Sequence, residues 1–301
     1  MPFSFHICQK TIKCRKNVIT MKVGVLGPAG TFSHSAALEY FENKDVELVF
    51  YPSIVSMIEA ADKGECHLAF APIENSLEGV VNATMDCLAS DVALYIFNEY
   101  NARIHQCLMA LDSAPLTEIV SHPQPLGQCA GFLKQHPEIK LTVCDSTAEG
   151  GKIASQSPGV GVIGSKSLSQ LYDLTVLAEN IEDNDSNSTR FVVLSKQFHH
   201  PTGYDKTSIV FSICDKPGEL IKLLSILDIF DLNMTKIESR PAKTILGEYL
   251  FFIDLDGHVE DENVKDALDV IKKKTTWFKL LGSYPKKPID GNPEKLYNGI
   301  R

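Results

Sequence analysis

Short apolar runs alternate with amphipathic stretches along the first two thirds of the chain, a pattern that predicts strands alternating with helices. Three apolar runs, 22–26, 46–51 and 67–72, have the length of buried strands. Ser33 and Ser53 stand where each would cap the helix that follows a strand. The alternation continues with predicted strands at 117–121, 140–144 and 160–163 and predicted helices at 125–136, 147–156 and 166–172. We therefore expect a doubly wound α/β architecture with a parallel sheet.

The stretch from Val92 to Ala110 is long and β-like and carries no helical pattern. It lies between the two groups of predicted strands, where it would suit a crossover that joins two lobes. Two lobes imply a cleft, and ligands of open α/β proteins bind in such crevices. We therefore expect a two-lobed region over residues 21–198.

A second domain is predicted after the polar, Pro- and Gly-containing linker at 199–206. Its predicted order is strand 207–214, helix 217–230, strand 233–239, strand 245–254, helix 259–273 and strand 277–284. This β-α-β-β-α-β order is the ferredoxin-like arrangement, expected over residues 207–285. Residues 286–301 hold too little apolar surface to order themselves and are predicted to form a loose tail.

The N-terminal residues 1–20 form a separate segment, basic and free of acidic side chains. They lack the apolar core of a secretory signal. A disordered extension, a true start at Met21 and a short organelle-targeting piece are the three interpretations that the sequence leaves open.

Composition narrows the classes of function. The 301 residues are 44% hydrophobic and 22% charged, with a net charge of −9, which fits a soluble protein and argues against a general nucleic-acid binder. No apolar run approaches the roughly 20 residues needed to span a bilayer. Eight cysteines without a C-x-x-C pair predict reduced thiols in the cytoplasm rather than a disulfide framework or a zinc site. Residues 183–187 imitate the start of a calcium loop but lack its Gly and Glu, so no metal is predicted.

The segment NSTRF at residues 187–191 is the densest group of candidate chemistry. It places an amide, two hydroxyls, a guanidinium and an aromatic ring just before an apolar run at 192–194. Polar groups at the edge of a sheet can fix a small anion. An ordinary strand that begins at Thr189 and Arg190 would explain the same residues.

Three other motifs lie at predicted junctions between a strand and a helix. GPAGTFSH at 27–34 could cradle an anion with its N–H groups, although it matches no nucleotide-binding loop. PIENSLEG at 72–79 contains Glu74, a general acid if a cleft raised its pKa. In SHPQPLGQC at 121–129, Cys129 suggests a nucleophile but falls on an apolar helix face, which favours a core thiol. Turns, caps and solvated loops would explain each motif separately.

In this order the four motifs closely resemble the prephenate dehydratase family, and the second domain resembles the ACT regulatory module that follows it in that family. The resemblance covers residues 22 to about 285. It implies a carbon–oxygen lyase that converts prephenate to phenylpyruvate, water and carbon dioxide, toward L-phenylalanine, without metal or organic cofactor. The implied catalytic fold is two-lobed and periplasmic-binding-protein-like, of type II.

The resemblance also implies roles for residues of the first domain. Thr189 would stabilise the leaving hydroxide, with Glu74 and Asn75 as further catalytic candidates. The implied substrate contacts are Thr31, Ser33, Ser121, Gln128, Arg190 and Phe191.

Regulation by L-phenylalanine at the second domain of a homodimer or homotetramer is a further implication of the resemblance. The implied effector contacts are Gly218, Glu219, Leu220, Glu238 and Ser239. Glu219 stands where the family commonly has a small residue, and its charge would alter the effector pocket.

Two rival functions remain open at this point. An arogenate dehydratase would act on a substrate with an amine in place of the keto group, and the motifs do not separate it from a prephenate dehydratase. A non-enzymatic amino-acid sensor would bind its ligand without turnover and would have no use for Thr189.

Overall fold

The computed structural model describes residues 20–242 and 249–286. The strands of residues 20–195 are β1 (Met21–Leu26), β2 (Val46–Tyr51), β3 (Leu68–Asn75), β4 (Gly79–Val80), β5 (Tyr95–Arg103), β6 (Cys107–Ala110), β7 (Glu118–Ser121), β8 (Lys140–Val143), β9 (Val160–Gly164), β10 (Thr175–Ala178) and β11 (Ser188–Ser195). The helices of the same part are α1 (Phe32–Tyr40), α2 (Ile54–Lys63), α3 (Asn82–Ala89), α4 (Pro123–Gln128), α5 (Ala130–Leu133), α6 (Thr147–Ala154) and α7 (Ser167–Tyr172).

These strands form two separate sheets, one in each lobe. The first has the order β2-β1-β3-β11-β5, with β4 beside β3, and the second has the order β10-β6-β9-β7-β8. In the first sheet β1 is parallel to β2 and β3, whereas β11 is antiparallel to β3 and β5. In the second, β7 is parallel to β8 and β9, and β6 is antiparallel to β9 and β10. The two-lobed prediction is confirmed, but both sheets are mixed rather than parallel.

The mixed character follows from two passages of the chain between the lobes. β5 belongs to the first sheet and β6 to the second, so the chain crosses within the stretch 92–110, as predicted. It returns after β10 and inserts β11 between β3 and β5. The sequence pattern did not predict this return, because a strand's partners are set by contacts distant along the chain.

The C-terminal part consists of β12 (Asp205–Ser212), α8 (Glu219–Ile229), β13 (Met234–Pro241), β14 (Tyr249–Asp256), α9 (Glu262–Lys274) and β15 (Trp277–Pro285), and its four strands form a third sheet. Its order is β13-β14-β12-β15, and every pair is antiparallel. The β-α-β-β-α-β order is as predicted. The start of the predicted strand 245–254, at 245–248, lies outside the described residues, as do residues 1–19 of the predicted extension and 287–301 of the predicted tail.

Helix ends show which predicted caps form. Ser53 Oγ accepts the N–H of Ser56 over 3.1 Å and caps α2, as predicted. Thr31, not Ser33, caps α1, because Thr31 Oγ1 accepts the N–H of His34 over 3.3 Å. The predicted helix 125–136 is divided into α4 and α5 at Cys129, whose backbone is not helical. No helix of residues 20–242 and 249–286 is long and apolar enough to cross a membrane.

The first sheet has apolar cores on both faces, and alternate residues of β11 supply them. Phe191 and Val193 pack with α1 on one face. Val192 and Leu194 pack on the other face with α2, α3 and part of the third sheet. Because strand side chains alternate between faces, Thr189 and Arg190 also point in opposite directions. This alternation determines the layout of the site.

Candidate active site

The centre of the site is a pair of polar residues on neighbouring strands. Asn75 ends β3, Thr189 lies near the start of β11, and the two face each other across the antiparallel ladder. Asn75 Nδ2 donates a hydrogen bond to Thr189 Oγ1 over 2.9 Å. The pair exists only because β11 returns to the first sheet beside β3. Two of the predicted catalytic residues, 114 positions apart, are thereby brought into contact.

The direction of this hydrogen bond is fixed by the other end of the Asn75 amide. Asn75 Oδ1 accepts the backbone N–H groups of Leu77 (2.9 Å) and Glu78 (3.0 Å). An amide oxygen only accepts and an amide nitrogen only donates, so Nδ2 must face Thr189. Thr189 Oγ1 is therefore the acceptor, and its hydroxyl hydrogen remains available to another acceptor.

Three further amides extend the pair toward the second lobe. Asn187 Oδ1 accepts from Asn75 Nδ2 (3.1 Å), and Asn187 Nδ2 donates to Gln128 Oε1 (3.1 Å). Gln106 Nε2 donates to the same oxygen over 2.8 Å. We call Gln106, Gln128, Asn187, Asn75 and Thr189 the amide network. It joins α4 of the second lobe to the first sheet through both interlobe crossings.

Asn187 and Gln106 had no assigned role in the sequence interpretation. Both are fully buried. The sequence carried no clear signal for Gln106, because the segment that leads into β6, Asn101 to Gln106, is mostly polar. Within the part of the chain that the structure describes, Gln106 Oε1 has no hydrogen-bond partner. An unpaired buried acceptor is costly, which marks this end of the network as a place where a donor would bind favourably.

The loop between β1 and α1 lies against the second lobe. Gly30 has a φ of 90°, a backbone conformation that favours glycine. A Cβ at this position would also come within 2.7 Å of the Leu168 side chain. His34 Nδ1 accepts the Gly30 N–H over 3.0 Å, and burial lowers the pKa of His34. Thr31 and Ser33 thus lie near the interlobe boundary, Thr31 as the α1 cap and Ser33 buried in its first turn.

A cavity of about 300 Å³, which we call the interlobe cavity, opens between α1 of the first lobe and α7 of the second, beside the amide network. Ala102, which faces Thr189 from β5, lies in its wall. The cavity wall also carries two groups with hydrogen-bond partners of their own: His105 Nδ1 lies 2.8 Å from Glu182 Oε1, and Lys166 Nζ lies 2.7 Å from Glu179 Oε1. Further lining residues include Phe32, Ser35, Arg103, Ser165 and Ser167.

The structure places Arg190, a predicted substrate contact, away from the amide network. Its guanidinium donates to Glu99 (2.7 Å), Asp254 (2.9 Å) and Tyr284 (2.9 Å) on the opposite face of β11. Burial alone would raise the pKa of Asp254, but Arg190 and Ser208 outweigh it and hold that pKa below its ordinary value. Arg190 therefore links the first sheet to the third.

Phe191 and Glu74 are also not beside Thr189's hydroxyl. Phe191 is buried in the α1 core and stacks on Phe70, with ring centroids 4.7 Å apart. Glu74 Oε2 binds Lys236 Nζ over 2.5 Å on the reverse face of β3. The geometry does not support Phe191 as a substrate contact or Glu74 as a general acid at this hydroxyl.

Ser121 and Cys129 are buried in the second lobe. Ser121 Oγ donates to the carbonyl of Ile163 over 2.5 Å, apart from the amide network. Burial, followed by the charges of Glu182 and Asp183, raises the pKa of Cys129 to about 12, which fits a core thiol. Among the described residues, no group of three or more His, Cys, Asp or Glu side chains could hold a metal ion.

A second cavity, of about 410 Å³, lies in the C-terminal part against α8 and β14, and we call it the C-terminal cavity. Gly218 and Leu220, two of the predicted effector contacts, line it together with Ile213, Leu224, Tyr249 and Phe251. Gly218 has a φ of 83°, which favours glycine.

The other three predicted effector contacts differ in position. Ser239 faces Phe251 across the ladder and so shares the face of the cavity. Glu238 alternates to the face of Lys236, toward the first lobe. Glu219 Oε1 binds Lys222 Nζ over 2.7 Å, and this hydrogen bond lowers the pKa of Glu219.

Comparison with known proteins assigns this architecture to a family. The family model for prephenate dehydratase matches residues 23–199. Prephenate dehydratase of Methanocaldococcus jannaschii is 37% identical over 267 residues, covering 86% of this chain and 96% of the relative. Bifunctional chorismate mutase/prephenate dehydratase of Aquifex aeolicus is 39% identical over 285 residues, covering 93% and 78%.

A solved structure extends the likeness to the third sheet. Prephenate dehydratase of Arthrobacter aurescens in complex with L-Phe superposes with a TM-score of 0.80 at 31% identity, covering 92% of this chain and 95% of the other. The sequence matches, the order of the motifs and the two-lobed fold agree, and the chain belongs to the prephenate dehydratase family.

Proposed function

We propose that this chain converts prephenate to phenylpyruvate, water and carbon dioxide, and that Thr189 donates a hydrogen bond to the departing ring hydroxyl. The hydrogen bond from Asn75 Nδ2 to Thr189 Oγ1 carries the proposal, because it occupies the threonine oxygen as an acceptor. The hydroxyl hydrogen is then free for the substrate. A fixed, neutral donor of this kind stabilises charge as it develops and does not need to ionise.

The chemistry requires little more than orientation and stabilisation of the leaving group. The ring carboxylate departs as carbon dioxide, and the electron pair of that C–C bond enters the ring and expels the ring hydroxyl as hydroxide. Aromatisation of the ring drives the step, and a proton from solvent completes the water. Glu74, held by Lys236 on the reverse face, has no part in this scheme.

Prephenate carries two carboxylates, so the site also needs hydrogen-bond donors and positive charge. We place these carboxylates toward the interlobe cavity, where Arg103 and Lys166 form part of the wall. Thr31, Ser33 and Gln128 are the proposed polar contacts, and the amide network does not use Gln128 Nε2.

We further propose that residues 207–285 form an ACT regulatory domain that binds L-phenylalanine, joined by the linker 199–206 to the catalytic domain 21–198. The apolar cavity at Leu220 and Phe251 has room for a benzyl side chain, and the Arthrobacter relative was solved with L-Phe. The proposed assembly is a homodimer or homotetramer.

The deciding experiment supplies prephenate and arogenate separately, and measures phenylpyruvate formed from prephenate by absorbance and L-phenylalanine formed from arogenate by chromatography. L-phenylalanine is titrated into the prephenate assay. Rapid phenylpyruvate formation from prephenate supports the proposal. Turnover of arogenate alone would make the chain an arogenate dehydratase. Saturable amino-acid binding without turnover of either substrate would favour the sensor.

A further inference from the structure

The reverse side of the catalytic pair is bound to the third sheet. Two consecutive ladder pairs join β3 to β11: Asn75 faces Thr189, and Glu74 faces Arg190. The first pair belongs to the amide network. The second points to the opposite face, so any movement of its backbone moves the first pair as well.

The third sheet meets Glu74 and Arg190 with a ladder pair of its own. Lys236 on β13 faces Asp254 on β14. Lys236 Nζ lies 2.5 Å from Glu74 Oε2, and Arg190 Nη1 lies 2.9 Å from Asp254 Oδ2 and 3.9 Å from Glu74 Oε2. We call Glu74, Arg190, Lys236 and Asp254 the four-charge cluster. Except for Glu74, its side chains are largely buried, which strengthens their interactions and restricts their positions.

Strand β14, which supplies Asp254, also forms part of the wall of the C-terminal cavity, and β13, which supplies Lys236, pairs with β14. Tyr249 and Phe251 of β14 line that cavity, and Phe251 packs with the helices of the C-terminal part. Asp254, three positions after Phe251, points to the other face and contacts Arg190. The cavity and the four-charge cluster therefore lie on opposite sides of β14.

We propose that Lys236 and Asp254 are positioning residues for Asn75 and Thr189, and that the four-charge cluster couples occupancy of the C-terminal cavity to catalysis. This inference rests on the proposed function. A shift of β13 against β14 displaces Glu74 and Arg190, and with them the backbone that aims the Thr189 hydroxyl. Misplacement of a reacting group by about 1 Å costs on the order of 10²-fold in rate, so a smaller shift is enough for regulation.

The test compares Lys236→Met with Arg240→Met. Arg240 lies on the same strand and also binds the first domain, through Asp86 on α3 over 2.7 Å, but it is not bonded to β3 or β11. Lys236→Met is expected to lower kcat about 10-fold with little change in KM, a fraction of the cost of a full misplacement. Phenylalanine should still bind, measured by equilibrium dialysis, but should inhibit less. Lys236→Arg should restore both properties, and Arg240→Met should keep them.

The outcomes separate this inference from the proposed function. If the wild type turns over neither prephenate nor arogenate, the proposed function fails and the coupling fails with it. If the wild type is active and Lys236→Met behaves like Arg240→Met, only the coupling is wrong. If the wild type is active but phenylalanine does not inhibit it, the coupling of the cavity to catalysis is wrong. The kcat values of Lys236→Met and Arg240→Met then decide whether Lys236 positions the catalytic pair. If Lys236→Met does not fold, Glu74→Gln takes its place, because it removes the charge from the other partner of the Lys236–Glu74 ion pair. It must then lower kcat and weaken inhibition as predicted for Lys236→Met.

Discussion

Thr189 owes its proposed role to the direction in which its hydroxyl points. A threonine hydroxyl rotates freely in water and is too weak an acid to ionise near neutral pH. Here the Asn75 amide, itself fixed by two backbone N–H groups, donates to the oxygen. The remaining hydrogen is therefore directed away from Asn75.

Thr189→Ala removes that donor and should lower kcat by about 10² to 10³, the usual cost of losing one preorganised donor to a developing oxyanion. Thr189→Ser keeps the hydroxyl and should retain most of the activity. The measurement is steady-state phenylpyruvate formation, with circular dichroism to establish that each variant folds. Equal activity of the alanine and serine variants would contradict the assigned role.

Asn75→Asp tests the direction of the hydrogen bond with almost no change in shape. A carboxylate still accepts the N–H groups of Leu77 and Glu78 but cannot donate to Thr189. The threonine would then donate to the carboxylate, and kcat should fall about 10²-fold above pH 6. Wild-type kcat in this variant would show that the amide donor is unnecessary.

Residue types at strand ends predicted part of this site and misplaced the rest. Asn75, Gln128 and Thr189 came from polar motifs at predicted junctions, and the structure joins them. Arg190 and Phe191 were assigned to substrate because NSTRF was treated as one unit. Strand alternation turns Arg190 to the opposite face, whereas Phe191 shares the face of Thr189 but is buried in the core against α1. The partner strands, which are distant in sequence, decide what each face meets.

At the scale of elements, β11 serves three environments at once. Thr189, near its start, belongs to the amide network, its odd-numbered apolar residues pack with α1, and Arg190 binds the third sheet. The order of helices and strands was largely predictable, because hydrophobic period depends on local sequence. The pairing of β11 between β3 and β5 was not, because no local signal specifies a partner about 100 residues away.

Arg190→Met should destabilise the protein by about 3–5 kcal/mol, because it removes the cation paired with the buried carboxylate of Asp254, whereas Glu99 keeps Lys206 Nζ at 3.0 Å. Lys63→Met is the matched control. Lys63 forms an exposed pair with Glu59 on α2, worth about 0.3–0.5 kcal/mol. Urea unfolding of both variants measures the difference. A cost for Arg190→Met below that of the control would show that the buried cluster adds nothing to stability.

Asp254 gives the cluster a pH dependence. Its folded-state pKa lies below its ordinary value of 3.8, so its stabilising contribution is fully present above that value and is lost as pH falls through the folded pKa. The difference in unfolding free energy between wild type and Asp254→Asn should be largest near pH 7 and shrink toward pH 3. Urea unfolding across this range measures it. A difference that stays constant with pH would mean that Asp254 does not titrate as assigned.

At the scale of the whole molecule, two cavities lie in different parts of the protein, one between the lobes and one in the C-terminal part. The interlobe cavity adjoins the amide network, and the C-terminal cavity lies against α8 and β14. The two-lobed pattern predicted a cleft, and the resemblance implied an effector site in the second domain; that these two cavities are those sites stays a prediction. The sequence did not predict that the C-terminal sheet would contact the residues next to Asn75 and Thr189, because that contact depends on how whole sheets pack.

Leu220→Asp should weaken phenylalanine binding at least about 10-fold, because it puts a charge into an apolar wall. Glu219→Gln should change binding less than about 2-fold, because the Glu219 carboxylate is engaged by Lys222 rather than by the cavity. Equilibrium dialysis with labelled phenylalanine measures both, and kcat without phenylalanine should be unchanged. A larger effect of Glu219→Gln would place the effector nearer the start of α8.

The return of β11 has a consequence for synthesis of the chain. The first lobe is discontinuous: β11, an internal strand of its sheet, is the last of its strands to leave the ribosome, after the whole of the second lobe, β6 to β10. Until residue 195 has emerged, β3 and β5 lack the neighbour that lies between them. We expect the second lobe, continuous in sequence, to fold first during translation. In a protein truncated after β10 the first sheet should stay incomplete, even though all of its other strands are present, because β11 is missing between β3 and β5.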